Sequence, residues 1–248
     1  MGILAKGVDK RTASKKETVW GTLAGGTGGK YLRRVTSQFN QTAETLQSAE
    51  IRTDYQIADY RLGSLSSEGS LNGELSPGTY SDFFAASLAK DFVVGGTTSG
   101  ASLTIAASGA FYTITRAAGS WLTDGFYVGN VIQLDGAGFA AGNILKNIQI
   151  LSISALVLTV RTFGENALVA EGPIASAGAS VVGKQTFAPL TGHTSDSFTF
   201  EEFFGGGVNI SEVHTGNKVG SIAVQLPAYE ICTLDVSFMG KGMMQTGS

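Results

Sequence analysis

The sequence predicts a mainly β protein with one helix, built as a β-domain that a smaller all-β domain interrupts. Three observations carry this. Polar and apolar residues alternate through 64–75 and 230–239, the period of strands with one wet and one buried face. Residues 103–182 hold seven charged residues and break into short strand-like runs separated by Gly, Asp and Asn. One stretch, about 77–90, repeats apolar residues at helical spacing. Composition agrees: 34 of 248 residues are Gly, 43% are apolar and 15% are charged. Such a chain buries a sizeable core and is no candidate for global disorder.

In chain order, ETVWGTLAGGTGGK (17–30) reads as a Gly-rich irregular segment anchored by Trp20 and Leu23. Residues 31–42 alternate, with Tyr31, Arg33, Val35, Ser37 and Phe39 on one face, and read as a strand. IRTDYQIADYRL (51–62) reads as extended. In 64–75, Ser64, Ser66, Glu68, Ser70, Asn72 and Glu74 share the wet face, opposite Leu65, Ser67, Gly69, Leu71, Gly73 and Leu75. Ser76 suits a cap and Pro77 a first helical turn; Tyr80, Phe83, Phe84 and Leu88 give that helix an apolar face. GGTTSGAS (95–102) reads as a linker by composition, and 171–185 as a second loose segment. The runs between them suggest a small barrel or sandwich. SFTFEEFF (197–204) reads as a strand entering a Gly turn. VGSIAVQL (219–226) faces Ile222, Val224 and Leu226 one way, and 230–239 buries Cys232, Leu234, Val236 and Phe238. The economical division is 1–98 with 186–248 as one discontinuous domain and 99–185 as the insertion.

Chemistry is sparse. His193 and His214 fall in polar stretches read as loops, no G-x-S-x-G elbow is present, and no catalytic residue is assigned. Cys232 has no disulfide partner in the chain. Glu201, Glu202 and His193 match no metal-ligand spacing, and no metal or cofactor is assigned. GGTGGKY lacks the spacing and the preceding strand of a phosphate loop. No run of 18 apolar residues or secretory core occurs, so the expectation is a soluble intracellular product with no membrane partner. Charge is uneven: residues 1–40 hold eight basic against two acidic residues, net +6, which leaves −9 for the rest.

Taken in order, ETVWGT, SAEIRTDYQIADYRLGSLSSEGSLNGELSPGTYSDFFAASL, SFTFEEFF and VGSIAVQLPAYEICTLDVSFMGKGM resemble the major tail tube proteins of long, non-contractile-tailed bacteriophages. SWLTDGFYVGNVIQLDGAGFAAGNILKNIQILSISALVLTV is similar to the small β-domain such proteins carry as an insertion. The resemblance implies a β-sandwich with a flanking helix, assembled as six-membered rings stacked into a hollow tube. It also implies strands shared in an inner barrel, with the tape-measure protein and genomic DNA in the lumen. A tail terminator and a distal tail protein would meet the ends. The location implied is the virion, after assembly in the host bacterial cytoplasm, with the insertion outside the tube. Related chains often run past SFMGKGM, which makes a shortened C-terminus a further expectation.

A bore that passes DNA should not grip phosphates, so short polar and acidic side chains suit it. Glu68, Asn72, Glu74, Gln225 and Asp235 are the candidate lumen-facing residues; the alternative is a monomeric sandwich whose polar face meets bulk solvent. Residues 1–30 are the candidate inter-ring arm, with Lys10, Arg11, Lys15 and Lys16 reaching an acidic surface of the adjacent ring and Trp20 as apolar anchor. In this reading the arm orders only on assembly. The competing functions are another virion protein, such as a tail terminator or capsid decoration protein, and a carbohydrate-binding β-module or hydrolase using Trp121, Phe126 and Tyr127.

Overall fold

A computed structural model describes residues 6–49, 60–164, 167–185, 191–207 and 209–247. The strands are β1 (Lys10–Lys16), β2 (Lys30–Tyr31), β3 (Thr36–Gln47), β4 (Tyr60–Glu74), β5 (Val93–Val94), β6 (Thr97–Ser108), β7 (Phe111–Arg116) and β8 (Val131–Asp135). They continue as β9 (Ile148–Ile153), β10 (Val157–Thr162), β11 (Glu171–Val181), β12 (Lys184–Gln185), β13 (Phe198–Phe204), β14 (Ile210–Gln225), β15 (Thr233–Gly240) and β16 (Gly242–Gly247). One α-helix, α1 (Ser81–Ser87), lies between β4 and β5. The chain is therefore mainly β. It divides into two compact units, 1–91 with 186–248, and 92–185.

The discontinuous unit is a two-sheet sandwich. In the first sheet β2, β1, β13 and β14 are neighbours in that order, and β16 pairs with β14. In the second, β14, β15, β4 and β3 are neighbours in that order. Strand β14 serves both. Its first half, 210–217, lies between β13 and β16, and its second half, 218–225, pairs with β15. The turn from one sheet to the other uses Gly216, at φ +72°, and a register shift between Val219 and Ser221.

Aromatic side chains fill the space between the sheets. Phe39 of β3 lies 4.6 Å from Phe200 of β13, centroid to centroid, and Phe200 lies 4.6 Å from Phe238 of β15. Phe83 of α1 meets Phe198 and Phe238 edge-on at 5.1 and 5.2 Å. This is why 67–74 alternates as it does: Ser67, Leu71 and Gly73 are buried, and Gly69 is half-buried. A Cβ at Gly69 would overlap the Phe39 ring, and one at Gly73 the Tyr80 hydroxyl. Glycine inside a strand here marks where an aromatic ring lies directly on the backbone. On β15, Leu234, Val236 and Phe238 are buried while Met239 is exposed, matching the expected faces.

Several local expectations are corrected. The helix begins at Ser81, because Pro77–Tyr80 form turns and bends; it has no side-chain cap and ends before Ala89, at φ +52°. Ser76 Oγ donates to Thr79 Oγ1 within that turn. The 31–42 strand is broken, because the backbone leaves β2 at Tyr31 so that Leu32 can drop into the core. Most of 51–62 lies outside the described residues, and its last three residues begin β4. Residues 95–102 are no linker, since β6 starts at Thr97, and 171–181 is β11.

The inserted unit explains those last two. Strands β10, β7, β6, β11, β8 and β9 close a barrel in that order. Leu103, Ile105, Ile114, Ile132, Ile148, Ile150, Leu158 and Val160 fill it. The register between β6 and β11 shifts three times. Backbones approach closely there, so Ala177 and Ala179 are fully buried and a Cβ at Gly172 would meet the Leu103 carbonyl at 2.8 Å. A run of small residues that resembles a linker is thus the sequence of a tightly curved strand.

Candidate functional site

The outer face of the second sheet gathers the residues expected to face a lumen. Register places Glu74, Thr233 and Gln225 in one row across β4, β15 and β14, and Asn72, Asp235 and Ala223 in the next. The row beyond holds Ser70, Ser237 and Ser221, which Gln38 of β3 continues. Asn72 Nδ2 donates to Asp235 Oδ1 at 2.6 Å, and the Ser221 and Ser237 hydroxyls bond at 2.8 Å. Glu68 stands opposite Met239, with Asn40 on its other side. From Thr36 to Asn40, 68 to 74, 233 to 237 and 221 to 225, the outward positions hold Thr, Gln, Asn, Ser, Ala, Glu and Asp. Lys218 enters this face only beyond the β14 register shift, where its Nζ donates to Ser195 Oγ at 2.9 Å. The patch is polar, short-chained and acidic, and the hydrogen bonds between its members keep these side chains low on the sheet.

Both edges of this sheet are open. In β3 one side pairs with β4 and the other has no strand beside it among the described residues; the same holds for β14 from 218 to 225 beyond β15. Neither edge carries a Pro or an inward charge, the usual devices that stop edge-to-edge pairing. Beyond Ser66, β3 and β4 continue as a two-stranded ribbon that exposes Leu46, Tyr60, Leu62 and Leu65. Two strands alone are marginal in water, and apolar groups displayed in this way suit contact with another surface.

The basic N-terminal residues lie elsewhere than expected. Lys10–Lys16 form β1, paired antiparallel along the whole of β13. This strand belongs to the fold of the subunit, which corrects the expectation that the arm orders only on assembly. Its charges are used internally. Lys10 Nζ lies 2.7 Å from Glu202 Oε1, and Lys16 Nζ lies 2.9 Å from Asp91 and 2.8 Å from Asp196. Burial lowers the Lys16 pKa, but hydrogen bonds to Asp196 and Asp91 outweigh it, so the net shift is upward. Lys15 donates to the Gly25 and Thr27 carbonyls. Arg11 and Lys16 are both exposed; Arg11 lies in a groove of about 960 Å³ that Tyr31, Arg33, Arg34, Val35 and Ile231 also line.

Sequence reasoning missed the residue that holds this segment down. Glu17 is buried, and its carboxylate accepts four hydrogen bonds: from Gly21 N at 2.8 Å, Ser197 Oγ at 2.6 Å, Thr199 Oγ1 at 2.9 Å and Gly216 N at 2.7 Å. Trp20 is half-exposed, donates from Nε1 to the Gly216 carbonyl at 3.0 Å, and lies under the Lys241 ammonium. A Glu followed by Trp-Gly was the available signal, but nothing local announced a buried acid.

The chemistry expected to be absent can be located. His193 is exposed in coil, but His214, read as a loop residue, is fully buried on β14, with Nδ1 bonded to Ser67 Oγ at 3.0 Å. Burial pushes its pKa down; Glu202 opposes this and Lys10 adds to it. Cys232 is free and half-buried just before β15. Trp121 and Phe126 stack edge to face at 5.0 Å and are fully buried in the barrel core, so they line no carbohydrate cleft. No described helix is long and apolar enough to cross a membrane.

Two comparisons bear on this geometry. No curated protein matches the chain. The family model described as phage tail tube protein matches residues 7–248.

Proposed function

The chain belongs to the phage tail tube protein family, and from that premise we propose that copies of it join edge to edge into six-membered rings, which stack into the tube that conducts DNA. Family membership makes the protein a structural component of the virion tail. The observation that carries the finer reading is the second sheet, with two open edges and an acidic outer face between them. Pairing β3 of one copy with the 218–225 half of β14 in the next is a heterologous contact, which gives a ring when the rotation closes. Six copies would close about 24 strands; at ~4.8 Å spacing and ~40° tilt the backbone circle is roughly 48 Å across, leaving a bore wider than a duplex once short side chains are added. Glu68, Asn72, Glu74, Gln225 and Asp235 then line the lumen, where like charge repels phosphate.

Ring-to-ring contact falls to the exposed apolar ribbon of β3 and β4, and to the basic groove around Arg11 and Arg33 on the facing copy. The tape-measure protein and the genome occupy the lumen in turn, a terminator and a distal tail protein close the ends, and assembly takes place in the host cytoplasm. The inserted barrel, 92–185, lies outside the tube and is dispensable for its formation.

Negative-stain microscopy of the purified protein tests this reading. Long hollow tubes are expected, and isolated rings or monomers at every concentration would favour a terminator or decoration protein instead. Gln41→Pro and Thr42→Pro add a sharper test, because one of the two removes an N–H turned away from β4. That variant should remain a folded monomer, and tubes of normal length from both would overturn the edge-pairing scheme.

A further inference from the structure

At one end of the sandwich, between its sheets, Glu202, Glu212 and His214 each bring one ligating atom to within 4.8 Å of the other two. Register accounts for this. Glu202 of β13 stands directly opposite Glu212 of β14, and His214 follows two residues on, on the same face of that strand. Glu202 and His214 are buried and Glu212 is half-buried. We propose that Glu202, Glu212 and His214 form a binding site for one divalent transition-metal ion of the zinc type, which would tie β13 to β14 beneath the second sheet.

Three features point to a cation. His214 Nε2 is buried without a hydrogen-bond partner, while Nδ1 is held by Ser67. Buried polar atoms in folded proteins are almost always satisfied, so an orphaned imidazole nitrogen beside two carboxylates is a vacant ligand position. A hydrogen bond to the other ring nitrogen is also what orients metal-bound histidines. Next, Lys10 and Ser37 both bind Glu202 Oε1, at 2.7 Å each, which leaves Oε2 clear of them. Last, Glu212 makes no ion pair among the described residues. One imidazole with two carboxylates is a donor set that zinc accepts, at bond lengths near 2.1 Å. Ligand atoms around a tetrahedral ion at that bond length stand about 3.4 Å apart, so binding draws the three side chains together by up to about 1.4 Å. Lys10 opposes the ion electrostatically and sets its affinity.

The test uses tag-free full-length protein, stripped with chelator and titrated with Zn²⁺, and with Co²⁺ as a spectroscopic substitute, at pH 7.5. One equivalent of Co²⁺ per chain should develop saturable visible absorption that Zn²⁺ abolishes. His214→Gln and Glu212→Gln should each weaken binding at least tenfold, and Lys10→Met should tighten it. Glu212 is half-buried, so its variant decides the matter if His214→Gln fails to fold. No saturable binding to the wild type, or binding unchanged in Glu212→Gln, overturns the proposal. Neither result depends on whether the protein forms tubes.

Discussion

Replacing Glu17 by Gln should unfasten the N-terminal segment from the first sheet. Each carboxylate oxygen accepts one backbone N–H and one hydroxyl: Oε2 from Gly21 and Ser197, Oε1 from Gly216 and Thr199. An amide keeps one acceptor oxygen and turns an NH₂ toward the other two donors. The hydroxyl there can rotate and accept, whereas the backbone N–H cannot. The two surviving bonds fall from charge-assisted to neutral strength, a loss of about 1 kcal/mol each, and the stranded N–H costs about 1–3 kcal/mol more. The expected destabilisation is therefore about 4 kcal/mol, a large share of the ~5–15 kcal/mol that stabilises a typical domain. Urea denaturation gives the magnitude. Hydrogen exchange over 17–22 and 214–218 gives the location, since Gly21 and Gly216 supply the N–H groups. A change below about 1 kcal/mol with exchange at those glycines unaltered would refute the assignment of Glu17 as the anchor.

Gly69→Val should force the Phe39 ring off its stack on Phe200 and cost about 3 kcal/mol, read as a lowered urea midpoint. Glu68→Lys combined with Asp235→Lys should leave the subunit folded and tubes formed, but make the assembled protein retain DNA in a salt-dependent way; tubes that bind no more DNA than wild type would remove these residues from the lumen. His214 is kept neutral by burial, so its contribution to stability is complete above the unfolded-state pKa of about 6.5 and is lost as pH falls toward the lower folded value. In chelator-treated protein, wild type should lose more stability than His214→Gln between pH 7.5 and 5, and parallel curves would contradict this.

Much of the molecule was legible in the chain, and the reasons can be traced residue by residue. Alternation at 67–74 and 233–239 is a local property, so it marked the buried and exposed faces of β4 and β15 before any partner strand was known. The central barrel announced itself by charge depletion and short β-branched runs. The helix was visible from Phe83 and Phe84, but its start was not, because Tyr80 is spent on a hydrogen bond from its hydroxyl to the Arg33 carbonyl. Small residues misled: in 95–102 and 171–185 they signify close backbone approach, which composition cannot distinguish from looseness. Lysines misled in the same way, since a basic run has the same sequence whether it is solvated or paired with Glu202, Asp91 and Asp196.

The sequence by itself determined strand faces, the helix after β4 and the family resemblance, all of which follow from periodicities and short motifs along one chain. Only the tertiary structure decided which distant residues meet. It folded the supposed arm into the first sheet, set Glu17 among donors from three segments, and brought Glu202, Glu212 and His214 together. Among the described residues it also left β3 and the end of β14 as open edges on either side of one acidic face. Those are consequences of strand register across long stretches of chain, and register is set by the packing of Phe39, Phe83, Phe200 and Phe238, which no local pattern encodes.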